Sequence, residues 1–441
     1  MALLTLFFYV FSPNIIAHGR LATLDFGVTA FIFVATYFFI EWLKKRKLRL
    51  AILSGALLGL SITAKFSALI LLPILLIIFL YKLFLDQEKA RIRIKEYLRG
   101  LLFLTFSCFV IIWVVYGFAG YRTPPTFVEK KISENVPGHG LGSTFVRDSL
   151  QTLNDSSFTR PLAIFGTGVA QSLNYNQGPI NNYPQYLFGK WSAFGWWYYY
   201  LAAYSIKETL SFLIFLLFGA GIFIFRLVHK EKIYFTEKAS LITLFGITLF
   251  LMIGNLNIGL RYFLPALPFI YLLVAKNSLY IFEKAKKAKS FLKIAIPMIM
   301  ASLLVWIICE NVFIFPSYLA YFNELIVGPK NGYKYLIDSN LDWGQDLGRL
   351  NSYLEKNNIE NIYLDKFGSA DDSHYFKKVV VSPWHAGNGL PTDGYLAISA
   401  NFFEVSQHYM DEGINKDSYQ VLEKQKPIAV IGYSIYLYKM P

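Results

Sequence analysis

The 441 residues are 55% hydrophobic and 16% charged, with a mean hydropathy of +0.42, and the apolar residues gather into long blocks. A water-soluble core would space them at helical or strand periods, so a soluble globular class is excluded. The net charge of +13 does not mark a nucleic-acid binder, because most of the excess sits in four short linkers between apolar tracts, with no aromatic and basic reading surface.

The first tract, 2–17, lacks a basic leading segment, and "IIAHG" is a poor cleavage site, so it reads as a span rather than a removable signal. Tracts such as "FSALILLPILLIIFLYKLF" and "GLLFLTFSCFVIIWVVYGF" approach the ~20 residues that carry a helix across ~30 Å of hydrocarbon. The basic linkers are "KKRKLR" from Lys44, "DQEKARIRIKEYLR" from Asp86, "RLVHKEKIYFTEK" from Arg226 and "KNSLYIFEKAKKAKSFLK" from Lys276. The positive-inside rule places all four in the cytoplasm, and about nine helical spans satisfy that alternation. They run near 2–17, 26–43, 50–63, 66–84, 99–117, 207–227, 239–254, 262–277 and 294–313. The third and fourth, separated by "TAK", are expected to form a tight hairpin with Lys65 at its outer tip, a re-entrant pair being the alternative.

Residues 118–206 read as a long outer loop with the turn-forming stretches "RTPP", "PGHGLG" and "NQGPINNYPQ". It ends in "WSAFGWWYYYLAAYSIKE", whose Trp191, Trp196, Trp197 and Tyr198 to Tyr200 suit an interfacial belt. After Phe315 the composition turns soluble: Leu347, Leu350 and Leu354 keep helical spacing, while "NIYLDKF", "KKVVVSP", "GYLAISA" and "PIAVIGYSIYLYKM" read as strands. The expected architecture is an α-helical polytopic membrane protein with a C-terminal extracytoplasmic α/β domain. Its parts are spans in 1–117, the outer loop 118–206, spans in 207–313, and the domain 314–441. Cys108 and Cys309 lie inside apolar tracts and staple nothing.

Residues expensive to place in hydrocarbon collect on the outer side of this layout. They are His18, Arg20 and Asp25 in "AHGRLATLD", Lys65 at the hairpin tip, Lys207 and Glu208 before the sixth span, and Asn255, Asn257, Arg261 and Tyr262 in "NLNIGLRY". Any one of them has a structural use, as a headgroup contact or a helix cap. Convergence from four loops points instead to a shared anionic-ligand site. Cations there would hold a phosphate and stabilise its leaving charge, and a carboxylate could bind a divalent metal or orient a hydroxyl. Asp338, Asn340, Asp342, Gln345 and Asp346 beside Trp343 make either a sugar-binding set or a helix start capped by Ser339 or Asn340. His139, His374, His385 and His408 show no metal-ligand spacing and read as surface residues.

Five segments, "SPNIIAHGRLATLD", "LLGLSITAKFSALILLP", "GKWSAFGWWYYYLAAYSIKETLS", "NIGLRYFLPALPF" and "YFNELIVGPKNGYKYLIDSNLDWGQDL", together resemble the protein mannosyltransferase and aminoarabinose transferase superfamily of GT-C membrane glycosyltransferases. The resemblance implies transfer of a sugar from a polyprenyl-phosphate donor to a protein or lipid acceptor at the outer face of a membrane, here the plasma membrane, with inversion at the anomeric carbon. By that likeness Asp25 looks like the family's second acidic position, and Lys65, Arg261 and Arg20 look like donor-phosphate contacts. His18, Asn257, Tyr262, Trp196, Trp197, Asp342 and Gln345 are then expected to line the substrate, with membrane lipid around them and no nucleic acid involved. The family's first span, its large acidic loop with the presumed catalytic base, and the next span find no counterpart, so the chain is expected to be N-terminally incomplete and its catalysis impaired. A start assigned too late, a split gene and a degraded relative all fit that departure. A transporter or flippase for an anionic lipid-linked substrate, and a non-catalytic glycan-binding membrane protein, are the rival readings.

Overall fold

The apolar tracts fold as helices because no water is at hand to satisfy backbone polar groups across hydrocarbon. A computed structural model describes residues 1–136, 141–175, 185–287, 291–411 and 419–441, with backbone alone at 87–93, 141, 175, 407 and 409–411. The chain opens with α1 (Ala2–Val10) and α2 (Pro13–Gly19), bent by 65° to each other, then α3 (Leu24–Lys45), α4 (Leu48–Ala64), a 3-10 turn Phe66–Ile70, α5 (Leu71–Leu85) and α6 (Gln87–Ala119). Next come α7 (Pro125–Asn135), α8 (Leu141–Asn154), α9 (Arg160–Tyr175), the antiparallel pair β1 (Gln185–Leu187) and β2 (Lys190–Ser192), and α10 (Tyr199–Lys207). A second membrane group holds α11 (Leu210–Val228), α12 (Phe235–Ile253), a 3-10 turn Leu260–Ala266, α13 (Leu267–Lys286) and α14 (Leu292–Ile314).

Among the described residues seven helical segments are long and apolar enough to cross a bilayer, or eight if the bent α1–α2 pair is one span. The remaining expected span, the third, is α4, an apolar helix of 17 residues. Lys65 does stand between α4 and the next helical segment, in extended conformation. The tight hairpin does not form, however: α4 packs between α3 and α6, while α5 packs on α12 and α3. Gly55 and Gly59 explain the choice. A Cβ at either would run into the backbone of α6, at Leu104 and Cys108 respectively, so the two helices approach at main-chain distance. Ser54 donates to the Ala35 carbonyl at 3.1 Å and Ser107 to that of Ile52 at 3.0 Å, stitching the three helices together.

The described residues of 118–206 are largely helical where the turn signals imply a loop. Helices α7 to α9 bury Val128, Ile132, Val136, Leu150 and Ala163 against one another, an apolar spacing that the Gly, Pro and Asn residues around it masked. "NQGPINNYP" and His139 lie outside the described residues.

The C-terminal region contains α15 (Leu347–Lys356), β3 (Asn361–Asp365), α16 (Asp372–Tyr375), β4 (Val380–Pro383), β5 (Tyr395–Ser399), α17 (Ala400–Asp411), β6 (Ala429–Ile431) and β7 (Ile435–Lys439). Its five-stranded sheet has the order β4-β3-β5-β7-β6, with β3 parallel to β4 and β5, and β7 antiparallel to β5 and β6. All four expected strand stretches are present, the last as the β6–β7 hairpin. Leu347, Leu350 and Leu354 form the buried stripe of α15. That helix begins after Asp346, not at Ser339 or Asn340, because Asp338–Asn340 forms a separate 3-10 turn.

Candidate functional site

Asp25 sits in the first turn of α3 and is buried to 3% exposure. An unpaired carboxylate there would be costly. Two cations answer it: Lys65 Nζ lies 2.5 Å from Oδ1, and Arg261 Nη1 lies 3.8 Å from Oδ2. Lys65 arrives from the end of α4 and Arg261 from the 3-10 turn before α13, so three separate elements build the cluster. Lys65 also stands 3.9 Å over the Tyr262 ring, and the Arg261 guanidinium lies 4.4 Å over Trp343 and 5.1 Å from Tyr262. The carboxylate is sealed in, while the cation side chains keep 20% and 13% exposure. Arg261 Nε has no hydrogen-bond partner. The terminal nitrogens make no hydrogen bond at short range, so this partly exposed guanidinium beside a sealed carboxylate has capacity left for an anion.

Arg261 is held by a strap, residues 255–260, in which five of the six residues bond a backbone group to a side chain from elsewhere. Gln185 donates to the Asn255 carbonyl at 2.6 Å and accepts from the Asn257 amide at 2.7 Å. The Tyr200 hydroxyl donates to the Leu256 carbonyl, Ser339 Oγ donates to that of Ile258 at 2.7 Å, and Asn340 Oδ1 accepts from the Leu260 amide at 2.9 Å. Asn340 in turn donates to the Tyr199 hydroxyl, and its carbonyl accepts from Lys207 Nζ at 2.6 Å. Lys207 is 2% exposed, also donates to the Leu319 carbonyl at 2.6 Å, and lies 4.3 Å over Phe322. Burial holds its ammonium well below the ordinary lysine range. Glu208 points away from it, accepting from Ser12, Tyr271 and the Thr209 amide, and burial pushes its carboxyl up to about 7.

The structure thus gathers some expected site residues and disperses others. His18 is buried in α2 within electrostatic range of Asp25 and Arg261, with Nδ1 unpartnered. Arg20 is exposed and donates to the Pro316 carbonyl at 2.9 Å. Asn257 accepts from the Trp196 amide at 2.6 Å and serves the strap, while the Trp197 side chain is 62% exposed. Tyr199 and Tyr200 are core residues, not members of an interfacial belt, because their hydroxyls are spent on Asn340 and Leu256. Asp342 accepts from Ser399 Oγ at 2.6 Å and from the Gly344 amide at 2.8 Å, with burial raising its carboxyl to about 7. Gln345 accepts from the Trp343 amide and donates to Leu341 and Asp346. Both bind their own fold.

Asp338 stands in the sequence only as one of a cluster of acids and amides. Desolvation moves its carboxyl up to about 6, against the pull of the Ser339 amide and the Arg261 guanidinium. Its closeness to Arg261 spans 77 residues of chain, and no local spacing encodes that.

A divalent metal fits poorly here. Both Asp25 oxygens face cations, and among the described residues no group of three or more His, Cys, Asp or Glu side chains is arranged to hold one.

Residues 1–113 match the dolichyl-phosphate-mannose-protein mannosyltransferase family. That stretch holds Asp25 and Lys65 but not Arg261. The match supports the likeness to GT-C membrane glycosyltransferases that use lipid-linked sugar donors. Neither a curated protein nor a solved structure matches the chain.

Proposed function

We propose that the protein is a membrane glycosyltransferase whose Asp25, Lys65 and Arg261 cluster receives the phosphate of a polyprenyl-phosphate sugar at the outer membrane face. The observation that carries the reading is the meeting of these three side chains, from three elements, at one end of the helices. Helix α3 has 22 residues and rises about 33 Å. Asp25 therefore stands a bilayer's thickness from the basic linker at Lys44, which the positive-inside rule assigns to the cytoplasm. The C-terminal region packs over the same end through the strap, so it belongs outside.

In the proposed reaction an acceptor hydroxyl oxygen attacks the anomeric carbon from the face opposite the phosphate. The bond from carbon to phosphate oxygen breaks, and its electron pair stays on the lipid phosphate, which gives inversion. Lys65 and Arg261 stabilise the charge that grows on that oxygen. The phosphate takes over cation contacts now made by Asp25, leaving this carboxylate to orient the acceptor hydroxyl. The hydroxyl proton passes to this carboxylate as the new bond forms, and with no second carboxylate among the three to serve as a dedicated base, we propose that transfer by them alone is impaired. The acceptor is a protein or a lipid hydroxyl.

Arg261→Ala tests the phosphate contact. Loss of one charge-assisted contact should weaken binding of a radiolabelled polyprenyl-phosphate sugar by about tenfold to a hundredfold. Unchanged binding would remove Arg261 from the site.

A further inference from the structure

A second feature lies at the other end of the molecule and plays no part in this chemistry. Between α11 and α13 runs a groove of about 760 Å³, lined by Ile214, Leu217, Phe218, Gly221, Ile222 and Phe225 on one side and by Tyr280, Ile281 and Lys284 on the other. Gly221 opens it. A Cβ there would meet nothing within 4 Å, whereas one at Gly219, two residues earlier, would touch Val274 of α13 at 3.5 Å. One glycine lets the helices pack and the other leaves a slot beside them. From Ile214 to Phe225 the helix rises about 17 Å, close to one leaflet's share of a ~30 Å hydrocarbon core.

The slot ends among cations. Lys284 lines it, and a smaller cavity of about 300 Å³ shares Tyr280 and Lys284 with it and adds Lys276, Glu283 and Lys287. Glu231 neutralises only part of this charge, accepting from the Tyr280 hydroxyl and from Lys284 at 3.3 Å. The linkers 226–238 and 276–287 together carry eight Lys or Arg residues against three Glu. We propose that this groove is a binding site for an anionic glycerophospholipid of the surrounding bilayer, its acyl chain lying over Gly221 and its phosphate between Lys284 and Lys287. Length, apolar lining and a cationic end match that amphiphile, and a zwitterionic lipid gains much less from the lysines.

The full chain, reconstituted in bilayers mixing phosphatidylglycerol with phosphatidylcholine and then examined by native mass spectrometry, should retain phosphatidylglycerol preferentially. Gly221→Leu puts its Cβ into open space and its branched end into the slot, and leucine suits a helix better than glycine. It should keep or raise the melting temperature while cutting retention at least tenfold. Lys284→Gln with Lys287→Gln should leave the slot open but reduce the preference for phosphatidylglycerol by roughly thirtyfold, two lysines' worth of headgroup attraction. Equal retention of the two lipids by the unaltered protein would overturn the proposal. So would full retention by Gly221→Leu, or an unchanged preference in the double variant.

Discussion

Two arginines, one buried and one partly exposed, stand near opposite ends of the helices and make ion pairs of opposite character. Arg226 meets Glu237 at 2.7 Å with side-chain exposures of 3% and 4%, gives a second bond to Asn277 at 2.9 Å, and donates to the Lys232 carbonyl at 3.1 Å. Glu237 also accepts from the Tyr234 amide at 3.0 Å. Arg261 reaches Asp25 only at 3.8 Å and otherwise lies against aromatic rings. Each leaves Nε unpaired, but Arg226 spends both terminal nitrogens and Arg261 neither at short range. A saturated pair locks helices together. An unsaturated, partly exposed one has capacity left for a ligand.

The largest effect should come from breaking the saturated pair. Arg226→Ala strands Glu237 in a dry site and should destabilise the protein by ~3–5 kcal/mol, read as a fall in melting temperature in detergent. A loss as small as that of a surface substitution would erase the contrast. Arg261→Ala should cost only about 1–2 kcal/mol of stability, since Lys65 still serves Asp25. Equal destabilisation by the two variants would mean that both pairs are structural.

A finer test asks what a buried carboxylate does with neutral donors alone. Asp342 is bonded only by Ser399 and backbone amides, and burial, helped by the nearby Asp346 carboxylate, raises its carboxyl to about 7. Because the folded value lies above the unfolded one, its contribution to stability is complete below about pH 4 and is lost as pH rises through about 7. Asp342→Asn keeps the shape, so the drop in melting temperature between about pH 5 and about pH 8 should shrink. An unchanged pH profile would show that Asp342 is ionised in the fold.

Hydropathy made the spans legible because a bilayer imposes one length and one composition on every helix. The same bookkeeping brought Asp25, Lys65 and Arg261 to one side, since each lies at a tract end. It failed where pairing is distant. Gln185 bonds the strap across 70 residues and Asn340 across 80, and neither amide stands out among its polar neighbours. Arg226 and Glu237 read as two more linker charges, although the fold draws both inside. The tyrosine run looked interfacial because an amphipathic ring suits a headgroup layer, but a buried carbonyl or amide suits its hydroxyl as well.

The Lys207 ammonium is shielded by carbonyl oxygens that both come from beyond residue 315. Cutting the chain at the end of α14 would therefore leave this cation without its carbonyl partners at the mouth of the helical bundle and slacken the tether of Arg261 in the same stroke. Neither half is separable cargo: the bundle needs the C-terminal region as a lid over its own ion, and a truncated product should be degraded or aggregate rather than persist as a simpler enzyme.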